Sequence, residues 1–254
     1  MIDIHSHILP GVDDGSQNDE QSVLMLKKAI DDGIHTIVAT PHYHPKFLNK
    51  KSIVLTKVEK LKRLARENQL MINILPGQEI RIYGELLEDY EAGKLLTIAA
   101  NSTYILLEFP FRHVPHYTEK LLYDIEIHGL IPVIAHPERN REFLANPDKL
   151  FNFVAKGALT QLTTSSLLGY FGKEVQKLSH QLIEANLVHT IATDAHNITD
   201  RSFNMSQAYD EIIKKYGVSY ASYFTENARL IIEGKPIYGE QPQPVEKKKF
   251  FGIF

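Results

Sequence analysis

Ile131-Pro132-Val133-Ile134-Ala135-His136-Pro137-Glu138-Arg139 sets an apolar run directly against imidazole, carboxylate and guanidinium. A short apolar run of this kind reads as a buried strand, and charged groups placed straight after it are costly unless they are paired or bind metal. The same arrangement recurs along the chain. Residues 2–5 run into Ser6-His7, residues 36–39 into Thr40-Pro41-His42, and residues 72–75 into Gly77-Gln78-Glu79. Residues 104–108 close on Glu108, residues 158–162 add another strand, and residues 188–192 lead to Asp194-Ala195-His196.

Helical patterns separate these seven strands. Asn18 or Asp19 caps a helix that runs to Asp32 and stops at Gly33. Residues 51–67 carry Val54, Val58, Leu61, Leu64 and Ala65 at helical spacing, and further helices are expected over 115–128, 147–156, 175–185, 203–216 and 220–233. Strands alternating with helices predict an α/β fold with a parallel sheet, and βα units of about 25–40 residues favour a closed or nearly closed barrel. The glycine-rich dinucleotide fingerprint of an open doubly wound sheet is absent. We expect one domain over residues 1–238, followed by an extended tail over 239–254.

Composition narrows the function. The 254 residues are 43% hydrophobic and 23% charged, as suits a soluble domain that buries a core unaided. The net charge of -3 gives no electrostatic reason to expect nucleic acid as a partner. There is no cysteine, so disulfides, zinc-thiolate clusters and a cysteinyl-phosphate intermediate are excluded. Met1-Ile2-Asp3-Ile4-His5 turns polar too soon for a signal peptide, and no apolar run approaches the ~20 residues of a membrane span. A cytoplasmic location is expected. The tail ends in Lys247-Lys248-Lys249-Phe250-Phe251-Gly252-Ile253-Phe254, either a surface-packed end or a weak contact with the inner face of an anionic membrane.

The polar groups at the strand ends suit metal. In a strand, residues i and i+2 share a side, so His5 with His7, and Asp194 with His196, can each grip one centre. Asp14, His42, Glu79, Glu108 and His136 raise the candidates to nine, enough for two or three ions. An imidazole and carboxylate set without sulfur fits manganese, iron, zinc or cobalt. Four carboxylates against three divalent ions leave about two positive charges, which match a phosphate monoester dianion. Such ions lower the pKa of a bound water towards ~7 and so provide hydroxide for attack on phosphorus. Arg139, three residues beyond His136, and Arg201, five beyond His196, add fork-shaped donors for phosphoryl oxygens.

These motifs together resemble the PHP (polymerase and histidinol phosphatase) superfamily, and within it the bacterial manganese-dependent tyrosine phosphatases of capsule and exopolysaccharide operons. The stretches that carry the resemblance run from Asp3-Ile4-His5-Ser6-His7 and Asp13-Asp14-Gly15, through Ala39-Thr40-Pro41-His42, Pro76-Gly77-Gln78-Glu79-Ile80-Arg81 and Leu107-Glu108-Phe109-Pro110, to His136-Pro137-Glu138-Arg139-Asn140 and Asp194-Ala195-His196-Asn197. The resemblance implies a distorted (β/α)7 TIM-like barrel, three Mn2+ ions, and hydrolysis of phosphotyrosine on a membrane-associated bacterial tyrosine kinase with a tyrosine-rich tail. It assigns metal roles to His5, His7, Asp14, His42, Glu79, Glu108, His136, Asp194 and His196, and phosphate binding to Arg139 and Arg201. Asp13 competes with Asp14 for one ligand position.

Other readings stay open. A small-molecule phosphatase of the histidinol-phosphate type could use the same ligands, and a non-catalytic kinase-docking module would need only the tail. His35, His113, His116, His128, His180 and His189 read as ordinary structural or surface histidines, while His44 could face inward beside His42. Glu138 either orients a ligand or is a solvated loop carboxylate. Residues 109–115 suggest an aromatic rim for a phosphotyrosine ring, with Arg112 attracting phosphate. Ser165 and Ser166, near Thr163-Thr164, lack a triad histidine and read as polar lining, and Asp3 belongs to the strand entrance.

Overall fold

The computed structural model describes residues 1–100 and 103–246. It is a mixed α/β fold built on parallel sheets. The N-terminal part runs β1 (Ile2–Ser6), α1 (Asp19–Asp31), β2 (Thr36–Ala39), β3 (His42–His44), β4 (Phe47–Leu48), α2 (Lys51–Glu67), β5 (Asn73–Pro76), β6 (Glu79–Arg81) and α3 (Leu86–Glu91). There follow β7 (Tyr104–Glu108), α4 (Thr118–Ile127), β8 (Ile131–Ala135), a 3-10 turn (Pro137–Arg139), α5 (Arg141–Ala145) and α6 (Asp148–Val154). The chain then forms β9 (Leu159–Thr163), α7 (Thr164–Leu167), α8 (Lys173–Glu184), β10 (Thr190–Ala192), α9 (Met205–Tyr216) and α10 (Val218–Ile232).

Local chemistry explains the helix limits. The Asn18 side chain caps α1 by accepting the Gln21 N–H at 2.9 Å, which settles the choice between Asn18 and Asp19. Helix α2 spans the expected residues and buries Val54, Val58, Leu61 and Ala65, one stripe at helical spacing. The expected helix over 115–128 is shorter, because its first three residues form the turn that leads into Thr118.

The strands form two sheets, β1-β2-β5 and β10-β9-β8-β7-β6-β3-β4, parallel throughout except for the β3–β4 hairpin. The sequence pattern shows the seven main strands but misses β3, β4 and β6. Pro41 has no N–H for the ladder and ends β2, after which the chain re-enters the other sheet as β3. Gly77 does the same between β5 and β6. A Cβ there would lie 2.9 Å from Val38 Cγ1 and 3.2 Å from Thr40 Cγ2, so only glycine lets the two chains approach. The sheets also touch at the far edge, where Ser6 bridges Ala195, the His7 N–H donates to the Ala195 carbonyl (2.9 Å) and the Asp194 N–H donates to the His5 carbonyl (2.9 Å).

Two apolar clusters hold the layers together. The larger packs the helices against the sheets. The smaller joins Ile2, Ile4 and Val38 of the first sheet to Tyr104, Leu106, Val133, Ala135 and Ala192 of the second, and Ala228 and Ile231 of α10 pack against it. Beyond α10 no helix or strand forms up to residue 246. There the Gln243 N–H donates to the Ala185 carbonyl (2.8 Å) and Val245 is buried. The basic-aromatic end, residues 247–254, lies outside the described residues.

Candidate metal centre and active-site cleft

The ends of both sheets open on a cleft of about 370 Å³, within the range typical of small-molecule sites. Asp14, His42, Glu79, Glu108, His136 and Asp194 line it, and His5, His7 and His196 join them in four overlapping groups that could hold metal: His7, Asp14, His42 and His196; His5, Glu79 and His136; His5, His7 and Asp194; and His42, Glu79 and Glu108. Their placement follows from the strands. His42 and Glu79 face each other in register on β3 and β6, the two short strands that pattern reading missed. His5 closes β1, and its Nε2 lies 3.2 Å from His7 Nε2. His136 and Asp194 follow β8 and β10 with left-handed backbone, at φ 35° and 52°. That conformation is strained for residues other than glycine, and such strain gathers at functional sites.

The donor atoms fit divalent ions. Glu79 Oε2 lies 3.4 Å from both His5 Nε2 and His7 Nε2, and Asp194 Oδ1 lies 3.4 and 3.3 Å from the same two atoms. Asp14 Oδ1 stands 3.4 Å from His42 Nε2 and 3.5 Å from His196 Nε2. Ligands about 2.1 Å from one tetrahedral ion lie about 3.4 Å apart. His42 Nδ1, Glu79 Oε2 and His196 Nε2 are buried without a hydrogen-bond partner, although His42 Nδ1 and Glu79 Oε2 are only 2.8 Å apart. Buried polar atoms that face one another without bonding are what a cation would satisfy.

Electrostatics point the same way. Burial opposes charge on His42, yet Glu79 and Asp14 together outweigh it and push the imidazole up to about 10. Burial likewise opposes ionised Glu79, but His5 and His42 hold it well below the carboxylate range. Burial, then Arg139, brings His136 down to about 4, while burial, then His7, brings His196 to about 4. Burial and the neighbouring Glu79 raise Glu108. Proton and metal thus compete at His42, whereas His136 and His196 stay neutral, the form in which an imidazole binds metal.

Asp13 and Asp14 divide their labour. Asp13 is buried, accepts from His7 Nδ1 (2.8 Å), the His42 N–H (3.0 Å) and the Gly15 N–H (3.0 Å), and so fixes His7 with Nε2 turned to the cluster. Asp14 is half exposed and presents its oxygen to the cleft. Gln161 plays Asp13's part for His5, Oε1 to Nδ1 at 2.7 Å. The sequence reading overlooked it, although a glutamine inside an apolar strand was the available signal.

Arg139 and Arg201 both reach Asp194 Oδ2, at 2.6 and 2.9 Å, and both line the cleft. Arg81, two residues after Glu79 and so on the same side, donates Nε to Glu108 Oε2 (2.7 Å) and also lines the cleft. Glu138 is fully buried, accepting from Ser166 Oγ (2.6 Å) and the Thr163 N–H (3.2 Å), so the solvated-loop alternative falls. Ser165 and Ser166 are buried against Asn204 and Glu138 and do not line the cleft, which corrects their reading as lining. Phe109 packs beside Phe143 at the buried floor of the cleft, Phe111 lines it with its ring exposed, and Arg112 does not line it. His44 lines the cleft, its Nδ1 accepting the Lys46 N–H (3.1 Å), and stands outside the four groups. The remaining six histidines also lie outside them. Asp3 is buried and ties β1 to Thr193 through Oδ1 and the Thr193 N–H (3.0 Å).

Comparison with known proteins finds relatives along the whole chain. Tyrosine-protein phosphatase YwqE of Bacillus subtilis is 46% identical over 256 residues, covering 100% of both chains. Tyrosine-protein phosphatase CpsB of Streptococcus pneumoniae is 34% identical over 91% of this chain and 98% of its own. A solved structure from work on YwqE and CpsB, described as unique metal-dependent tyrosine phosphatases, superposes with a TM-score of 0.95 at 44% identity, covering 97% of this chain and 100% of that one. Residues 1–233 match the capsular polysaccharide synthesis family CpsB/CapC, and the chain belongs to that family.

Proposed function

We propose that the chain is a metal-dependent protein-tyrosine phosphatase that dephosphorylates a membrane-associated tyrosine kinase of polysaccharide assembly, with Mn2+ as its metal and three ions in the site. The observation that carries this reading is the gathering of nine imidazole and carboxylate side chains into four overlapping groups at a cleft that two arginine forks also line. Membership of the capsular polysaccharide synthesis family supports the kinase as substrate. No described helix is long and apolar enough to cross a membrane.

His5, His7, Asp14, His42, Glu79, Glu108, His136, Asp194 and His196 would hold the ions, with His5, His7, His42 and Glu79 each belonging to two of the groups. Bound divalent ions supply Lewis acidity, lowering the pKa of water towards ~7 and neutralising phosphoryl charge. The rest falls to the protein. Asp194 Oδ2 anchors both arginines, and their remaining N–H groups are available to equatorial phosphoryl oxygens, where charge is held through the transition state. Asp13 and Gln161 keep the His7 and His5 rings in the ligating orientation. With no cysteine in the chain, hydrolysis proceeds without a thiol phosphoenzyme.

We further read the two sheets as one distorted (β/α)7 barrel of residues 1–238, with 239–254 as its tail. The Ser6–Ala195 bridge at one edge and the apolar cluster shared by both sheets support that reading.

The test is hydrolysis of a phosphotyrosine peptide by EDTA-stripped protein before and after manganese, with phosphoserine peptide and histidinol phosphate alongside. Metal-restored, tyrosine-selective turnover is expected. Preference for histidinol phosphate would move the assignment to small-molecule phosphatases, and no activity with any divalent ion would overturn it.

A further inference from the structure

We infer that Phe171 and Phe111 form an aryl subsite that receives the ring of the phosphorylated tyrosine and makes the site select aryl over alkyl phosphate esters. The inference rests on the phosphatase reading of the cleft.

Three exposed or half-exposed phenylalanines line that cleft: Phe47, Phe111 and Phe171. Burying such ring surface against a guest in the cleft is favourable. Phe47 already has company, with the His42 ring parallel to it (6.1 Å, 6°) and Lys46 Nζ 4.9 Å from its centre. Phe171 and Phe111 are each backed by a single guanidinium, Arg139 at 5.2 Å and Arg141 at 5.3 Å. Phe111 is 57% exposed and Phe171 38%. Each therefore has ring surface free for a guest, and both come from loops on the face where the ligands gather.

The position of Phe171 ties it to the chemistry. Arg139, which lies over this ring, also donates to Asp194 at 2.6 Å and is one of the two forks assigned to phosphate. In a tyrosyl phosphate a single ester oxygen joins phosphorus to the ring. A phosphoryl group held at Arg139 therefore brings its aryl group beside Phe171, and Phe111 lines the same cleft. A seryl phosphate offers only a methylene there and gains nothing from either ring. Aromatic contacts of this kind change affinity about 3- to 10-fold per ring.

The experiment is calorimetric binding to the manganese-loaded protein, comparing a peptide bearing a non-hydrolysable aryl phosphonate with inorganic phosphate. Phe171→Ala and Phe111→Ala are each expected to weaken the aryl phosphonate about 3- to 10-fold while the Kd for inorganic phosphate stays put, and Phe171→Leu to weaken it less. Unchanged aryl binding in both alanine variants would overturn the subsite. So would parallel weakening of both ligands, because the rings would then only brace the arginines. A wild-type protein that binds neither ligand would instead remove the phosphatase reading beneath it.

Discussion

Asp13→Asn isolates the orientation of one ligand from ligation itself. The carboxylate of Asp13 makes three contacts, with Oδ2 accepting from His7 Nδ1 (2.8 Å) and the His42 N–H (3.0 Å) and Oδ1 from the Gly15 N–H (3.0 Å). An asparagine has one acceptor oxygen. If that oxygen stays with Gly15, its NH2 meets two donors, and His7 can relieve the clash only by moving its proton to Nε2. That nitrogen faces Glu79 and Asp194 at 3.4 and 3.3 Å, so the tautomer that suits asparagine is the one that cannot bind metal. If the oxygen turns to His7, Gly15 loses its acceptor and the loop that carries Asp14 loosens. Loss of an outer partner of a metal-binding histidine costs about 10- to 100-fold in affinity, or about 1.4–2.7 kcal/mol. We expect the manganese midpoint of phosphotyrosine-peptide hydrolysis to rise by that factor, with most of kcat recovered at saturating metal. A titration in buffered manganese, paired with calorimetry, reads both. An unchanged midpoint would refute the orienting role, and so would a folded variant that no metal concentration rescues.

Three further outcomes follow from particular contacts. His189 is brought down to about 4 by burial, so below its unfolded value of ~6.5 the unfolded chain takes the proton first. Its stabilising contribution is complete above pH ~6.5 and falls by about 3 kcal/mol as pH drops through 4, a slope that His189→Asn should flatten in denaturant titrations. Gly77→Ala places a Cβ 2.9 Å from Val38 Cγ1, and we expect a loss of about 1–3 kcal/mol in thermal or chemical unfolding. An unchanged melting temperature would mean the β2–β5 approach is looser than it looks. His136→Asn keeps a residue type that tolerates the left-handed backbone at φ 35° while removing the imidazole. Activity should fall more than about 100-fold with the melting temperature of the stripped protein preserved, and near wild-type turnover would sink the role assigned to His136.

The legible part of this protein is the part where chemistry interrupts hydrophobic pattern. His5, Glu108, His136 and Asp194 each stand next to an apolar run, and a charge there needs a reason that sequence alone can supply. The paired aspartates show the limit, since Asp13 and Asp14 are identical in type and adjacent. Only the backbone decides which turns inward to His7 and which faces the cleft. The short strands carrying His42 and Glu79 were illegible because each is three residues long and follows a proline or a glycine that reads as a turn. Phe171 gave no signal at all. An aromatic residue on a loop carries no period, and its role depends on Arg139, distant in sequence but lying over its ring at 5.2 Å.

Strain and charge crowding at the cleft make a last prediction about stability. His136 and Asp194 occupy left-handed backbone at a cost on the order of 1–3 kcal/mol each. Glycine would relieve that strain, but it would remove the imidazole and the carboxylate that line the cleft. Around them, His42 Nδ1 and Glu79 Oε2 sit buried without hydrogen bonds, so the stripped protein carries unsatisfied polar atoms as well. A cation that satisfies these atoms binds the folded chain and not the unfolded one. At a concentration 100 times its Kd it adds about 2.7 kcal/mol, which for a domain of this size raises the melting temperature by about 5–10 °C. The rise should vanish in Asp194→Asn, whose carboxylate faces His5 and His7 on one oxygen and Arg139 and Arg201 on the other. Manganese binding seen by calorimetry without a thermal shift would mean that the ion sits at a site the folded core does not feel, and the nine residues would need another explanation.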